Sequence, residues 1–169
     1  MKTLPICKVC AKTGVLCTSC ESKLEKGEIS ELEIELSKTF LELEKKHPGL
    51  KNVNFYGALE KDNLIVLIVG KGEIDNVRGE YGKTRKALSE KFKKTIRIIE
   101  KSKDPKKILE DLIYPIPVLG INQIFLPTGE VENKARINEK DFSKLPIDKE
   151  ILEDIIYTLT GTQIRIVPE

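Results

Sequence analysis

All four cysteines of this 169-residue chain fall within fourteen residues, as Cys7-Lys8-Val9-Cys10 and Cys17-Thr18-Ser19-Cys20, with the six residues Ala11 to Leu16 between the pairs. Nothing else in the sequence limits the fold so tightly. Two C-x2-C knuckles can surround one tetrahedral ion with four thiolates, and Gly14 in the connection allows the turn that brings the pairs together. Cys7, Cys10, Cys17 and Cys20 are therefore the expected metal ligands, with one zinc as the expected ion. Four thiolates close the coordination shell and leave no position for water or substrate, so such a metal is structural. A segment of about 25 residues has almost no core of its own, and metal binding would supply its folding free energy. The same residues also suit a redox pair, free thiols or an iron-sulfur cluster. A redox site, however, needs only one pair, normally at a helix start beside a sheet.

The length suits one ordinary domain or two to three small modules. Apolar residues make up 40% and charged residues 33%, enough to build cores, and no run approaches the roughly 18 apolar residues of a membrane span. Met1 to Ile6 is too short and too little apolar for a secretory signal, so a cytoplasmic protein with reduced thiols is expected. A single histidine (His47), a saturated metal site and no nucleophile-base constellation argue against an enzyme.

The net charge of +2 conceals an uneven distribution. Residues 1–27 carry +3, 28–50 carry −3, 51–103 carry +6 and 104–169 carry −4. Most of the basic excess lies in Lys83 to Lys103, where Lys83, Arg85, Lys86, Lys91, Lys93, Lys94, Arg97, Lys101 and Lys103 face only Glu90 and Glu100. Such a run is either a solvated face or the electrostatic footprint of a phosphate-binding surface.

Ser30 and Glu33 form a capping box with Ile29 and Ile34 as a staple, so a helix is expected from about Ser30 to Lys46, with Leu32, Leu36, Phe40 and Leu43 on one buried face. His47-Pro48-Gly49 ends it. Two strand-like runs follow, Asn52 to Leu59 and Leu64 to Val69, the second apolar on both faces and so expected in the sheet interior. A short polar helix near Glu73 to Arg78, a break at Gly79-Glu80-Tyr81-Gly82, a helix from Lys83 to about Phe92 and a strand from Thr95 to Glu100 complete the order. From Asp104 the same order returns: helix Asp104 to Ile113, strands Pro117 to Phe125 and Glu130 to Asn138, a short turn, helix Asp148 to Leu159 and strand Thr162 to Val167. The two copies differ at the helix-helix junction, where Gly79-x-x-Gly82 is replaced by Lys144-Leu145-Pro146-Ile147.

Gly82-Lys83-Thr84 matches the tail of a P-loop, but Val77 stands where that loop needs its first glycine. A Gly-x-x-Gly segment between two helices, after a buried strand and before a basic helix, instead suits close approach of a sugar-phosphate backbone. The run Ile74 to Leu88, IDNVRGEYGKTRKAL, resembles the type II KH signature, and Asp104 to Glu169, ending in Leu159-Thr160-Gly161, resembles the second KH module of NusA-type transcription factors. Over residues 30–169 the chain is similar to archaeal NusA-like proteins, with the cysteine segment added. Arg78 and Arg85 depart from the signature, which has aliphatic residues there, and Glu80 occupies a loop that usually carries a base.

The resemblance implies an α+β protein: a small four-cysteine zinc module at 1–28, a type II KH-like αββααβ module with its GxxG loop at 29–103, and a degenerate KH-like module without it at 104–169. It implies RNA binding without catalysis, in transcription elongation or termination, with single-stranded RNA held by Arg78, Gly79, Glu80, Tyr81, Gly82, Lys83, Arg85 and Lys86. Tyr81 would either stack on a base or anchor the helix start. The alternative is a structural or regulatory protein bound to the ribosome or RNA polymerase, in which protein contacts dominate. The acidic second copy is expected to stabilise the first or to dock a protein.

Overall fold

Each cysteine pair opens a short helix. In a computed structural model, which describes residues 2–76 and 78–169 with only the backbone at 75, 76 and 78–81, Cys7 and Cys17 are extended N-cap residues. They precede α1 (Lys8–Thr13) and α2 (Thr18–Glu25). Gly14 ends α1 at φ +78°, a left-handed geometry that glycine adopts without steric cost, and its N–H returns to the Cys10 carbonyl at 2.9 Å.

The capping box is present: Ser30 Oγ accepts from the Glu33 N–H at 3.1 Å, and Glu33 Oε1 accepts from the Ser30 N–H at 3.0 Å. It starts α3 (Glu31–Lys46), which buries Leu36 and Phe40 in one cluster and Ile34 in another. The second cluster joins Ile34 to Ile6, Cys10, Ala11, Cys20 and Ile29, so the cysteine segment packs on the helix that follows it. Six small buried side chains make a weak core, as the length of the segment leads one to expect.

A 3-10 turn (Pro48–Asn52) leads into β1 (Phe55–Lys61) and β2 (Leu64–Val69), an antiparallel pair. The chain continues through α4 (Glu73–Asn76) and α5 (Arg78–Phe92) to β3 (Thr95–Glu100), which runs parallel to β2. The strand that is apolar on both faces, β2, is the middle one, ordered β1-β2-β3. Parallel pairing needs a crossover, and α4 with α5 supplies it. The rest of the chain forms α6 (Pro105–Ile113), β4 (Gly120–Phe125), β5 (Val131–Ile137), α7 (Glu139–Phe142), α8 (Lys149–Thr160) and β6 (Ile164–Pro168). Here β4 pairs antiparallel with β5, and β5 parallel with β6. The duplicated order read from the sequence thus appears as two three-stranded sheets with the same pairing pattern. They fall in separate compact units, Met1–Lys101 and Ser102–Glu169. Among the described residues, no helix is long and apolar enough to cross a membrane.

One expectation is corrected. The break at Gly79–Gly82 is not present in the backbone: α5 runs from Arg78, so both glycines lie in its first turns. Glycine costs a helix about 1 kcal/mol relative to alanine. Burial of Leu88, with Phe92 packed partly against the same cluster, offsets that cost and carries the helix back through the glycines.

A buried carboxylate fixes the approach to this helix. Glu73 Oε2 accepts from the Asn54 and Gly70 N–H groups, both at 2.8 Å, and Oε1 accepts from Asn54 Nδ2. Glu73→Ala is expected to lower stability by about 1–3 kcal/mol, because the buried donors lose their acceptor. Urea denaturation checks this, and Glu73→Gln, which keeps one acceptor oxygen, should recover part of the loss.

Candidate metal centre and basic groove

The four Sγ atoms of Cys7, Cys10, Cys17 and Cys20 all lie within 4.8 Å of one another. None is in a disulfide. A tetrahedron built on metal–sulfur bonds of about 2.3 Å has edges of about 3.8 Å, so a cage of this size fits one ion. A cluster of several irons with its own sulfides would need wider spacing. Both knuckles sit at helix starts, the position expected of a redox pair. All four sulfurs nevertheless converge, which a redox pair does not require. The donor set therefore fits a closed, four-thiolate metal site, and no carboxylate or imidazole joins it among the described residues.

The two knuckles are bonded reciprocally. The Cys17 N–H points at Cys10 Sγ at 3.1 Å, and the Cys7 N–H at Cys20 Sγ at 3.5 Å. Amide donors of this kind stabilise thiolate charge. The neighbours act unequally on the thiols: Cys17 is drawn down to about 6, first by the Cys20 backbone amide, whereas Cys10 is pushed up to about 12, first by its neighbour Cys7. Cys7 is lowered in turn, chiefly by its contact with Cys10 at 3.1 Å. Cys10 and Cys20 are buried, while Cys7 and Cys17 face solvent.

The second feature is a groove between α5 and β3, about 460 Å³ in volume. From α5 it takes Gly82, Arg85, Lys86, Ser89 and Glu90, a stripe at helical spacing. The opposite side of the helix, through Thr84 and Leu88, is buried. From β3 come Ile96, buried as an apolar floor, and Arg97. Among the described residues, nothing lies within 4 Å of the position a Cβ on Gly82 would take, so one end of the groove is open.

The structure thus gathers three of the predicted contact residues, Gly82, Arg85 and Lys86, on one groove wall. Lys83 is exposed and does not line it. The side chains of Arg78, Glu80 and Tyr81, and the surroundings of Gly79, lie outside the described residues. Sequence reasoning placed Arg97 in the basic run but not in the site. Its place follows from the parallel pairing Val66↔Arg97, and the signal available was that a basic residue interrupts an apolar strand.

No protein-family model matches the chain. Among characterised proteins it is similar to the small ribosomal subunit protein eS7B of Saccharomyces cerevisiae, with 23% identity over 180 residues, 87% of this chain and 95% of the yeast protein. Among solved structures it is similar in fold to the crystal structure of APE1850, with a TM-score of 0.51 and 20% identity, over 78% of this chain and 96% of that one. The distant relative is a ribosomal protein, and the four-cysteine cluster is present in the structure.

Proposed function

We propose that this protein is a non-enzymatic RNA-binding protein of the KH type, whose first repeat holds single-stranded RNA in the groove between α5 and β3 and whose N-terminal segment is folded by one structural zinc. The observation that carries this reading is the groove itself, where Arg85, Lys86 and Arg97 stand beside the open Gly82. Cations suit phosphates, and a glycine lets the sugar-phosphate backbone approach closely. Glycines in the first turns of α5 also leave its N-terminal amides within reach of an anion. The second repeat has no glycine pair at the corresponding junction and carries net negative charge, so it does not share the role.

Ionic strength tests the groove. For single strands, the logarithm of affinity falls with the logarithm of salt by about 0.7 per phosphate contacted. Two or three contacts from Arg85, Lys86 and Arg97 give an expected slope of about −1.5 to −2. Anisotropy titrations of a labelled oligouridine across a salt series measure it, and affinity independent of salt would remove the assignment.

The resemblance to NusA-like factors points to nascent transcripts as the RNA. A second reading, a cytoplasmic ribosome-associated protein, is favoured by the likeness to eS7B, which spans 95% of the yeast protein. Affinity purification after crosslinking in cells separates the two. A stoichiometric ribosomal particle supports the second, and RNA polymerase with a set of transcripts supports the first.

A further inference from the structure

The β4–β5 hairpin of the second repeat exposes large apolar side chains that the first repeat does not. Phe125 and Val131 are the last cross-strand pair of that hairpin, so both point to the same face. Phe125 is 75% exposed and Val131 47%. In the first repeat the corresponding last pair is Lys61↔Leu64, a charged residue opposite a leucine that is only 4% exposed. The exposure is therefore particular to the second copy and not a property of the topology.

The tip is also ordered. Leu126 N–H donates to the Glu130 carbonyl and Gly129 N–H to the Leu126 carbonyl, both at 2.9 Å, which holds Phe125 at the end of a bonded turn. Beside it lies a cavity of about 600 Å³, lined by Val131, Leu126 and the half-exposed Tyr157. Its other walls include Glu130, Glu132, Glu153 and Asp154, against the single cation Arg165, which pairs with Glu132 at 3.3 Å. The whole unit, Ser102–Glu169, carries nine basic and twelve acidic residues. β4 is an edge strand of its sheet, ordered β4-β5-β6, so one side of its backbone faces no further strand among the described residues. Aromatic and aliphatic anchors beside a cavity whose acids come from the turn, β5 and α8 suit a positively charged polypeptide and repel nucleic acid, and the unpaired edge of β4 leaves room for it to lie extended.

We propose that this end of the second repeat, Phe125, Val131 and Tyr157 with their acidic rim, is a docking surface for a basic, extended segment of another protein. The segment lays apolar side chains against Phe125 and Val131 while its lysines or arginines meet the acidic rim. This surface is independent of the groove in the first repeat and stands whether or not that groove binds RNA.

The test uses the full, metal-loaded chain and a short labelled peptide in which lysine alternates with leucine, with anisotropy as readout. The peptide is expected to bind, and an equivalent with glutamate for lysine is not. Phe125→Ser should weaken binding about tenfold, as truncation of a central aromatic anchor does. Val131→Thr is a milder second variant, expected to weaken it less. Both positions are exposed, and circular dichroism confirms that each variant keeps its fold. Absence of peptide binding, equal binding by Phe125→Ser, or equal binding of the acidic peptide overturns the proposal. Displacement of the peptide by oligouridine would assign the surface to RNA. Loss of a dimer in Phe125→Ser, seen by sedimentation, would assign it to a second copy. Either result also overturns the proposal.

Discussion

Cys10→Ser is expected to bring the zinc content well below one ion per chain and to unfold the chain around α1 and α2. Structural zinc sites contribute about 10–16 kcal/mol of apparent binding free energy in small peptides at neutral pH, more than a cluster of six small side chains can replace. Cys10 is the severe choice because it is buried and its sulfur also accepts the Cys17 N–H, so one substitution removes a ligand and the bond between the knuckles. The expected result is loss of the helical signal of α1 and α2, together with new proteolytic cleavage between Lys8 and Lys26. The first sheet should persist, since its core of Leu36, Phe40, Phe55, Leu67 and Leu88 lies in a separate cluster. Addition of a strong chelator to the native chain should reproduce both changes. Acid should too, because thiolates must be protonated to leave the metal, so affinity for the ion falls as pH falls. A chain that kept α1 and α2 without any metal would falsify the four-thiolate reading.

The second large effect is expected at the head of α5. Gly79→Asp with Gly82→Asp places two negative charges where the proposed RNA backbone passes. At a few ångströms in a hydrated groove each charge costs about 1 kcal/mol, so the pair should weaken RNA binding about thirtyfold. The fold should survive, because carboxylates in the first turn of a helix interact favourably with its dipole and any residue but proline suits a helix better than glycine. Lost affinity then reports on the groove and not on unfolding, and thermal melts verify this. Lys144→Asp, an exposed position at the corresponding junction of the second repeat with the same change of two charges, is the matched control, expected to leave RNA affinity unchanged. Equal affinity of the Gly79, Gly82 double variant and the native chain would end the assignment of RNA to this groove.

The sequence and the structure agree where local chemistry dominates. Ser30 and Glu33 fix the start of α3, and the unbroken apolar run Leu64 to Val69 could only be a central strand. The cysteine spacing located the cluster of four sulfurs, and the duplicated order of helices and strands carried over into two matching sheets. Helices α1 and α2 were not foreseen, since six and eight residues are too few to show a helical repeat and their starts are set by the cysteines. The glycines suggest a break where α5 in fact begins, because the packing of Leu88 and Phe92 against the core outweighs the helix cost of glycine. Arg97 was missed as a groove residue because parallel pairing is nonlocal. The exposure of Phe125 was hidden for a different reason: an apolar residue in a strand reads the same whether its end of the sheet is covered or, as here, exposed.

Glu33 joins two parts of the first unit that the sequence treats as separate. One of its oxygens closes the cap of α3, and the other accepts the Ala58 N–H at 3.1 Å across from β1. The approach is so close that a Cβ on Gly57 would sit 2.5 Å from that oxygen, at a point where the register of β1 shifts. In mechanical terms the carboxylate is a pin through a joint. A partner that pulled on the cysteine segment would not swing it on a slack tether. The tension would pass through the head of α3 into β1, at the edge of the sheet.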